Sequence, residues 1–332
     1  TLPIYIYGLL RRIITPEDAE SVLQADSADF ISLGRALYAD PHWCLKAFGQ
    51  LRAPIRECIS CNVCFERLTL ELDVSCVQNP MVGTEFEAVR FAEPHLVDAP
   101  RPSPRRILVL GAGVAGVEAA RVAAAQGHRV EIWEAAAQPG GQMHLALAAP
   151  DKEEVRAVWT YRWTELQALG VPVRLGVVAT EDMIRQFAPD LVVVATGSKP
   201  RPLALDLSRL EADIRRAHAW DVLAEPAAIA NGAAVIVIGG GMVGIEVADL
   251  LALRACRITI IEALASIAPA MARNNRTDIL LRLQQAGVRI LTRANLRSAR
   301  GRDLVLETPD GTLNVAAGDA VIVAIGPKSE RG

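Results

Sequence analysis

Four of the six cysteines lie close together, three in the stretch Cys58-Ile-Ser-Cys61-Asn-Val-Cys64 and the fourth at Cys76. Three thiols at three-residue intervals on a tight loop can face one small object, and a fourth thiol from further along can close the cage. Zinc sites usually use two separated pairs of ligands, whereas three closely spaced cysteines with a remote fourth favour a cubane iron–sulfur cluster. The spacing therefore favours a [4Fe–4S] cluster over a zinc ion, and either metal over coincidence.

The other two cysteines, Cys44 and Cys256, stand in apolar helical contexts, which predicts that each is a small core residue. The chain opens on Thr-Leu-Pro-Ile, without the basic segment and cleavage site of a secretory signal. Clustered thiols without such a signal indicate a reducing compartment. We therefore expect a cytoplasmic protein that binds a metal rather than forming disulfides.

A glycine-rich turn, Gly111-Ala-Gly113-Val-Ala-Gly116, follows a predicted apolar strand. An Ala-rich helix is predicted over Val117 to Gln126, and the next strand ends at Glu134. In a dinucleotide site the first glycine makes the tight turn, the second lets the pyrophosphate reach the helix N-terminus, and the third lets helix and strand pack closely. The acid would accept from the ribose hydroxyls. A purely structural glycine turn is the minority interpretation.

The chain then repeats this unit. Gly239-Gly-Gly241-Met-Val-Gly244 follows a second apolar strand, and Glu262 lies at the same spacing from its motif as the first acid. Each unit later has a matching strand and turn, which ends at Gly197 in the first unit. These coincident landmarks indicate an internal duplication with two dinucleotide sites, one of them for a flavin.

Glu262 bears on the identity of the second ligand. A carboxylate at that position favours a free ribose 2′-hydroxyl and repels a 2′-phosphate, and no Arg or Lys occurs between Glu262 and Arg273 to reverse this preference. NADH is therefore favoured over NADPH. A decayed site that binds only a passive adenine nucleotide is the alternative.

The residues before the cysteines predict one βαβ unit. Leu2 to Tyr7, ending at Gly8, is a strand candidate. Thr15-Pro16 predicts the start of a helix that runs to about Leu23, with a Thr cap and Pro at the first helical position. Asp29 to Leu33 is the second strand candidate.

Gly34 and Arg35 close that second strand. Glycine lets backbone N–H groups approach a phosphate, and an arginine can clamp it with two parallel hydrogen bonds. Such turns suit the phosphate site that (β/α)8 barrels form after their last two strands. A surface arginine after an ordinary strand is an equal alternative.

Composition limits the remaining function classes. Half of the 332 residues are apolar and few are aromatic, which is typical of helices packed on buried parallel strands, in two or three domains. The net charge of −3 and the absence of a basic run argue against nucleic acid as a partner. The most apolar region, Ala233 to Leu253, is interrupted by glycines and two acids, which argues against a membrane span.

In this order of motifs the chain resembles the iron–sulfur branch of the Old Yellow Enzyme flavoproteins, which includes 2,4-dienoyl-CoA reductase, 2-enoate reductase and trimethylamine dehydrogenase. Residues 29–41 are similar to that family's FMN-phosphate loop, and residues 58–80 are similar to its cluster loop. The turn Pro139-Gly140-Gly141-Gln142 is similar to the FAD-binding half of flavoproteins that carry an inserted NAD(P)H domain.

The resemblance implies an α/β fold with the C-terminal end of a (β/α)8 barrel, an iron–sulfur loop segment and tandem Rossmann-like dinucleotide-binding domains. The implied boundaries are 1–50 for the FMN-binding barrel end, 51–103 for the cluster segment and linker, 104–230 for the first part of the FAD domain, and 231–332 for the NAD(H) domain. It also implies a fragment truncated at both ends, which lacks the barrel strands that carry the substrate-binding and proton-donating residues.

The resemblance assigns a residue set to each cofactor and leaves the catalytic residues unknown. FMN phosphate would be bound by Gly34 and Arg35, the [4Fe–4S] cluster by Cys58, Cys61, Cys64 and Cys76, FAD by Gly111, Gly113, Gly116, Glu134, Gly141, Gln142 and Gly197, and NADH by Gly239, Gly241, Gly244 and Glu262.

The implied function is an oxidoreductase that passes electrons from NADH through FAD and the cluster to FMN, and reduces an activated C=C bond of an enoate or enoyl thioester. The alternatives are an amine dehydrogenase or demethylase that delivers electrons to an external electron-transfer flavoprotein, and a non-catalytic electron-transfer subunit. The spacing Cys61-x2-Cys64 looks more like the amine dehydrogenases, whereas Glu262 looks more like the NADH-dependent reductases. Leu9 departs from the polar residue that the family often has after Gly8. The substrate's identity and the oligomeric state stay open.

Overall fold

The computed structural model describes residues 13–85 and 103–330, so the strand candidate from Leu2 to Tyr7, with Gly8 and Leu9, lies outside the described residues. The chain divides into two compact units. The first contains the described residues up to Gly141 together with Glu154–Ala195, and the second contains Gln142–Glu153 and the residues from Thr196 onward.

Among the described residues before the first nucleotide-binding motif there are four short helices: α1 (Pro16–Gln24), α2 (Arg35–Ala39), α3 (Trp43–Ala47) and α4 (Val63–Thr69). The predicted start of α1 is confirmed. The Thr15 hydroxyl accepts from the N–H of Asp18 at 3.1 Å, and the Asp18 carboxylate accepts from the N–H of Thr15 at 3.0 Å. This reciprocal capping box satisfies two donors that the helix itself cannot pair.

The predicted strand from Asp29 to Leu33 is wrong. These residues pair with no strand within the described ranges 13–85 and 103–330, and Phe30 is 68% exposed. A strand is stabilised by hydrogen bonds to a neighbouring strand, and an apolar run without one does not hold the extended ladder. Of the predicted βαβ unit, the described residues therefore contain the helix and not the second strand.

The first unit contains a four-stranded parallel sheet in the order β3-β2-β1-β4. In chain order its elements are β1 (Arg106–Leu110), α5 (Val114–Ala125), β2 (Arg129–Trp133), α7 (Arg156–Ala168), β3 (Val173–Arg174), α8 (Glu181–Phe187) and β4 (Leu191–Val194), while α6 (Met143–Ala146) falls in the second unit. Val109 and Ile132, in the two central strands, have no exposed surface and pack against Val117 and Ala120 of α5. The strand–turn–helix order predicted for this motif is thus confirmed, with the helix beginning three residues earlier.

The second unit contains a five-stranded parallel sheet in the order β6-β13-β7-β8-β9. Its elements are β5 (Ser198–Pro200), β6 (Arg215–His218), α9 (Ala219–Ala224), β7 (Ala234–Ile238), α10 (Met242–Ala252), β8 (Arg257–Ile261), α11 (Arg273–Gln285), β9 (Arg289–Leu291), β10 (Asn295–Arg300), β11 (Asp303–Thr308), β12 (Gly311–Ala316), β13 (Ala320–Val323) and β14 (Pro327–Ser329). Strands β10, β11 and β12 form an antiparallel sheet, and β5 pairs with β14.

The two parallel sheets share one topology. The order β3-β2-β1-β4 of the first unit corresponds to β9-β8-β7-β13 of the second. In each sheet the strand before the glycine motif pairs on one side with the strand that follows the motif's helix, and on the other side with the last strand of the sheet in chain order. This correspondence confirms the internal duplication predicted from the repeated landmarks. None of the described helices is both long and apolar enough to cross a membrane.

Candidate functional site

The first glycine motif forms a tight turn between β1 and α5. Gly111 has φ +105°, a conformation that residues with a side chain rarely adopt. Gly113 caps α5 in an extended conformation, and no atom lies within 4 Å of where its Cβ would be. A Cβ at Gly116 would lie 1.9 Å from the carbonyl oxygen of Gly111 and 3.3 Å from Cβ of Ala195. The three glycines therefore provide the turn, the open approach and the close packing expected of a dinucleotide motif.

The second motif reproduces this geometry in the second unit. Gly239 also has φ +105°, and Gly241 caps α10 with open space around it. A Cβ at Gly244 would lie 2.0 Å from the carbonyl oxygen of Gly239 and 3.4 Å from Cβ of Ala324. The first turns of α5 and α10 thus leave backbone N–H groups available to a phosphate in the same arrangement.

The acid at the end of β2 is held by its own motif. The Glu134 carboxylate accepts from the N–H of Ala112 at 2.6 Å and from the N–H of Ala136 at 2.8 Å. A carboxylate has about four acceptor sites, so these two bonds leave capacity for ribose hydroxyls. The sequence predicted the ribose role but not this attachment, which fixes the carboxylate beside the glycine turn.

The acid at the end of β8 is held in the same way. Glu262 is 8% exposed and accepts from the N–H of Gly240 at 2.6 Å and from the N–H of Leu264 at 2.7 Å. The matching partners in the two units show that the duplication extends to the hydrogen bonds of the acids. The signal in the sequence was the common spacing between acid and glycine motif.

The predicted residues after the first acid fall into two groups. In the first unit, Gly140 donates to the carbonyl of Ala112 at 2.9 Å, and a Cβ at Gly141 would lie 3.3 Å from Cα of Gly113. The turn that contains Gly140 and Gly141 therefore packs directly against the glycine motif. This arrangement brings Gly141 together with Gly113, as one cofactor site requires.

In the second unit the structure brings Gln142 and Gly197 together. The Gln142 amide donates to the Ser198 hydroxyl at 2.8 Å and lies 3.6 Å from where a Cβ of Gly197 would be. Gly197 has φ +81°, which favours glycine at that turn. Ser198 was not predicted, and its polar side chain after a glycine turn was the available signal.

The four cysteines of the cysteine segment are all at least partly shielded from solvent. Cys64 is buried, and Cys58, Cys61 and Cys76 are half-buried. Burial raises the pKa of the Cys61 thiol, and the other three cysteines raise it further through their charges. The charges of the other three predicted ligands thus act on Cys61.

Two backbone N–H groups donate hydrogen bonds to the sulfurs of the cysteine segment. Ser60 and Asn62, on either side of Cys61, have φ of 52° and 58°. Burial raises the pKa of both Cys61 and Cys64, but a hydrogen bond from the N–H of Val63 to Cys61, and one from the N–H of the residue after Cys64, act to lower it. Amide donors directed at thiolates are typical of iron–sulfur loops.

The side chains do not form a single-ion site. Within the part of the chain that the structure describes, no three Cys, His, Asp or Glu side chains are grouped so that they could hold one metal ion. A four-iron cluster is larger than a single ion and needs its thiols further apart. The thiol donors and the amide donors aimed at them fit such a cluster.

The two cysteines outside this segment differ from each other. Cys256 is buried, as predicted, and its Sγ lies 3.5 Å from the carbonyl oxygen of Ala230. Cys44 is exposed, so its prediction as a core residue is wrong. The helix α3 buries Trp43, and the next residue in a helix is rotated by about 100° away from that face.

Arg35 lies beside the cysteine segment. Its Nη1 donates to the side-chain oxygen of Asn62 at 2.5 Å, and its charge acts to lower the pKa of Cys64, which burial raises overall. Gly34 caps α2 and has open space where a side chain would be. The sequence predicted a phosphate role for this pair but not its contact with Asn62, because no local pattern links residues so far apart in the chain.

Residues 105–331 match the family model described as pyridine nucleotide-disulphide oxidoreductase. Among curated proteins, the chain is 34% identical over 331 residues to an NADH oxidase of Thermoanaerobacter brockii, which covers 98% of this chain and 48% of that protein. It is 34% identical over 340 residues to a cinnamate reductase of Clostridium sporogenes, covering 99% of this chain and 47% of the reductase. The chain thus spans about half the length of these relatives.

A third curated relative has a different activity. The chain is 34% identical over 257 residues to an N,N-dimethylglycine/sarcosine dehydrogenase of Chromohalobacter salexigens, covering 76% of this chain and 36% of that protein. Among solved structures, a 2-naphthoyl-CoA reductase in complex with 2-naphthoyl-CoA superposes with a TM-score of 0.83 and 26% identity, covering 95% of this chain and 46% of that one.

Proposed function

The chain belongs to the pyridine nucleotide-disulphide oxidoreductase family, and from this premise we propose that it is part of an NADH-dependent iron–sulfur flavoprotein that reduces an activated C=C bond. Its relatives include reductases, oxidases and dehydrogenases, so the reaction class is oxidoreduction. Because the chain spans about half of those relatives, the reaction is proposed for the longer protein to which these residues would contribute.

The observation that carries this proposal is the duplicated nucleotide site. Each unit pairs an open glycine turn with a carboxylate held by the backbone of that turn. In the second unit the carboxylate of Glu262 would accept from both ribose hydroxyls of NADH and would repel the 2′-phosphate of NADPH. Two copies of the same glycine turn and carboxylate would thus bind two dinucleotides, FAD in the first unit and NADH in the second.

The residues of the first unit would position FAD. Gly113 leaves room for the pyrophosphate, the first turn of α5 presents its N–H groups, and Glu134 orients the ribose. When bound, the flavin would supply a hydride acceptor for NADH. The chain's own contribution is binding and orientation, because no side chain of the motif is placed to exchange a proton.

The cysteine segment and Arg35 would serve the other redox groups. Cys58, Cys61, Cys64 and Cys76 would hold a [4Fe–4S] cluster, which supplies single-electron transfer when bound. Arg35 would hold the phosphate of FMN at the end of a (β/α)8 barrel. Its contact with Asn62 would then fix the phosphate-binding arginine relative to the cysteine loop.

A specific observation supports one alternative function, that of an amine dehydrogenase or demethylase. The spacing of Cys61 and Cys64 resembles that of the amine dehydrogenases, and one curated relative is an N,N-dimethylglycine/sarcosine dehydrogenase. In that case electrons would leave the protein for an external electron-transfer flavoprotein. The glycine turn and bonded carboxylate of the second unit support the NADH-dependent direction, because an amine dehydrogenase of that kind needs no NADH.

The test is an anaerobic titration of the full-length, cluster-loaded protein with NADH, followed by flavin absorbance. Bleaching of both flavins by NADH, and no bleaching by a methylated amine, is the expected result, and unsaturated acids and thioesters are then the substrates to screen. Bleaching by the amine and not by NADH would overturn the proposal. A protein without iron or flavin after reconstitution would overturn the cofactor assignment.

A further inference from the structure

The first unit contains a buried cluster of cations that none of the roles above uses. Lys46, Arg56 and Arg121 each place their charge within 5.8 Å of the ring centroid of Tyr161. Arg162, the next residue of α7, is 5% exposed. Lysine and arginine are seldom buried without a partner, so this concentration of positive charge needs a compensating group.

Two carboxylates belong to the cluster. Glu118 pairs with Arg121 at 3.0 Å and with Arg162 at 3.3 Å, and Asp40 pairs with Lys46 at 2.7 Å. Arg56 donates from its Nε to the carbonyl oxygen of Ala39 at 2.7 Å, and the charge of Glu165 also acts on Arg121. Burial and the neighbouring arginines lower the pKa of Arg162, although the charge of Glu118 acts against them.

Arg162 contacts one residue of the cysteine segment, Gln78, through both terminal nitrogens of its guanidinium group. Its Nη1 donates to Oε1 of Gln78 at 2.7 Å, and its Nη2 approaches the main-chain oxygen of Gln78 at 3.3 Å. Nη1 also donates to the carbonyl of Val158 within α7 at 2.9 Å. Gln78 is 1% exposed, so these bonds are shielded from water.

Gln78 in turn joins the two arms of the cysteine segment. Its Nε2 donates to the carbonyl oxygen of Glu57 at 3.0 Å. Glu57 immediately precedes Cys58, and Gln78 follows Cys76 by two residues. The amide of one buried glutamine thus links the arm that carries the first thiol to the arm that carries the last.

We propose that Arg162 and Gln78 are positioning residues for the [4Fe–4S] cluster. Gln78 sets the spacing between the arm of Cys58 and the arm of Cys76, and Arg162 anchors Gln78 to the helix α7 of the nucleotide-binding sheet. The positive charge of Arg162, which contacts Gln78 two residues after Cys76, stabilises the more negative, reduced form of the cluster. This inference rests on the proposed function, because it presupposes that the four cysteines bind a cluster.

Hydrogen-bonded partners behind the ligands of a metal site hold those ligands in place, and their loss typically costs about 10–100-fold in metal affinity. The net charge around an iron–sulfur cluster is one of the factors that set its reduction potential. The two roles can therefore be separated, since the spacing role governs retention of iron and the charge role governs the potential.

The test compares four variants of the full-length, anaerobically reconstituted protein. Gln78→Met removes both hydrogen bonds of the amide, Arg162→Gln removes the anchor and its charge, and Arg162→Lys keeps the charge without the double contact. Arg156→Gln is the matched control, because Arg156 lies on the same helix and is exposed. The readouts are the rate of iron loss to a chelator, the electron paramagnetic resonance of the reduced cluster and its midpoint potential.

We expect Gln78→Met and Arg162→Gln to lose iron about tenfold faster than the wild type, in line with other outer partners of metal ligands. Arg162→Gln should also shift the midpoint potential to a more negative value, because a positive charge near the reduced cluster is lost. Arg162→Lys should keep the potential and lose iron faster. Arg156→Gln should match the wild type in every readout.

The inference is overturned if Gln78→Met and Arg162→Gln retain iron as Arg156→Gln does and give its resonance spectrum and its potential. A wild-type protein that holds FAD but no iron would instead contradict the cluster assignment under the proposed function. FAD content serves as the check on folding. If Arg162→Gln loses FAD as well, the Gln78→Met variant, which leaves the arginine and its carboxylate in place, decides the outcome.

Discussion

A Cβ atom at position 244 would lie 2.0 Å from the carbonyl oxygen of Gly239. No real Cβ approaches a backbone oxygen so closely, so an alanine at this position must push α10 away from β7. Three residues before Gly244, Gly241 has nothing within 4 Å of its own Cβ position. The two glycines of one motif are therefore required for different reasons.

The pair Gly244→Ala and Gly241→Ala separates packing from ligand approach. We expect Gly244→Ala to lower the free energy of unfolding by about 1–3 kcal/mol, the usual cost of overpacking, and to impair NADH binding with it. Gly241→Ala should keep the melting temperature and weaken NADH binding alone, because its methyl group occupies the pyrophosphate approach. Thermal unfolding and NADH titration of both variants measure this. Unchanged NADH affinity in Gly241→Ala would contradict the proposed site.

Glu262→Gln tests the coenzyme preference. The glutamine amide keeps one acceptor oxygen, but its NH2 group faces a backbone N–H that donated to the carboxylate. Because two donors then face each other, we expect a loss of about 1–3 kcal/mol in unfolding free energy. Removal of the charge should reduce the preference for NADH over NADPH by about tenfold, equivalent to ~1.4 kcal/mol. The measurement is the rate of flavin reduction against the concentration of each coenzyme. Glu134→Gln is the matched control, since it alters the equivalent carboxylate in the first unit and should leave the preference for NADH over NADPH unchanged.

Cys61→Ser and Cys44→Ser test the cluster ligands. Cys61 is half-buried and the charges of the other three predicted ligands act on it, whereas Cys44 is exposed on α3. We expect Cys61→Ser to lose most of the iron after reconstitution, because a hydroxyl is a poor substitute for a thiolate toward iron. Cys44→Ser should bind iron and acid-labile sulfide as the wild type does. Equal iron in the two variants would exclude Cys61 as a ligand.

The lowered pKa of Glu118 leads us to expect that the stability of the protein depends on pH. Burial would raise the pKa of Glu118, but the hydrogen bond and charge of Arg121, with the charge of Arg162, outweigh it and lower the pKa below its ordinary value of 4.5. A carboxyl group with a lowered folded-state pKa stabilises the protein above the unfolded pKa and loses that contribution as the pH falls through the folded value. The stability of the wild type should therefore fall as the pH drops below 4.5.

Glu118→Gln should flatten this acid limb and, at neutral pH, should cost about 3 kcal/mol because buried arginines lose their carboxylate. The comparison is the melting temperature against pH for the wild type, Glu118→Gln and Glu181→Gln. Glu181 forms an exposed ion pair with Arg185, so its loss should change stability by less than about 0.5 kcal/mol. An acid limb of unchanged slope in Glu118→Gln would contradict the assignment.

The elements around the glycine motifs could be predicted because their signals are local. An apolar strand, a glycine turn and an Ala-rich helix follow one another within a few residues, and the second copy repeated the same signals. The strand predicted from Asp29 to Leu33 failed for the opposite reason. Its apolar residues match a strand, but a strand exists only with a partner, and the sequence of one segment does not specify that partner.

The contacts that join distant segments were not predictable from the sequence. Arg35 and Asn62, and likewise Gln78 and Arg162, meet through tertiary folding and leave no periodic signal. The exposure of Cys44 was missed because an apolar context does not state which helix face a residue occupies. By contrast, the common spacing of Glu134 and Glu262 predicted their equivalence, which their matching hydrogen bonds confirm.

Those matching hydrogen bonds have a kinetic consequence. Each carboxylate is already fixed by two backbone N–H groups, so the conformational entropy of ordering it is lost when the chain folds and not when a coenzyme arrives. Under the proposed function, Glu262 would therefore repel a 2′-phosphate at the first encounter with the coenzyme, because its carboxylate is already in place. Under the proposed function, replacing the Glu262 carboxylate itself would then be the direct way to change the coenzyme preference.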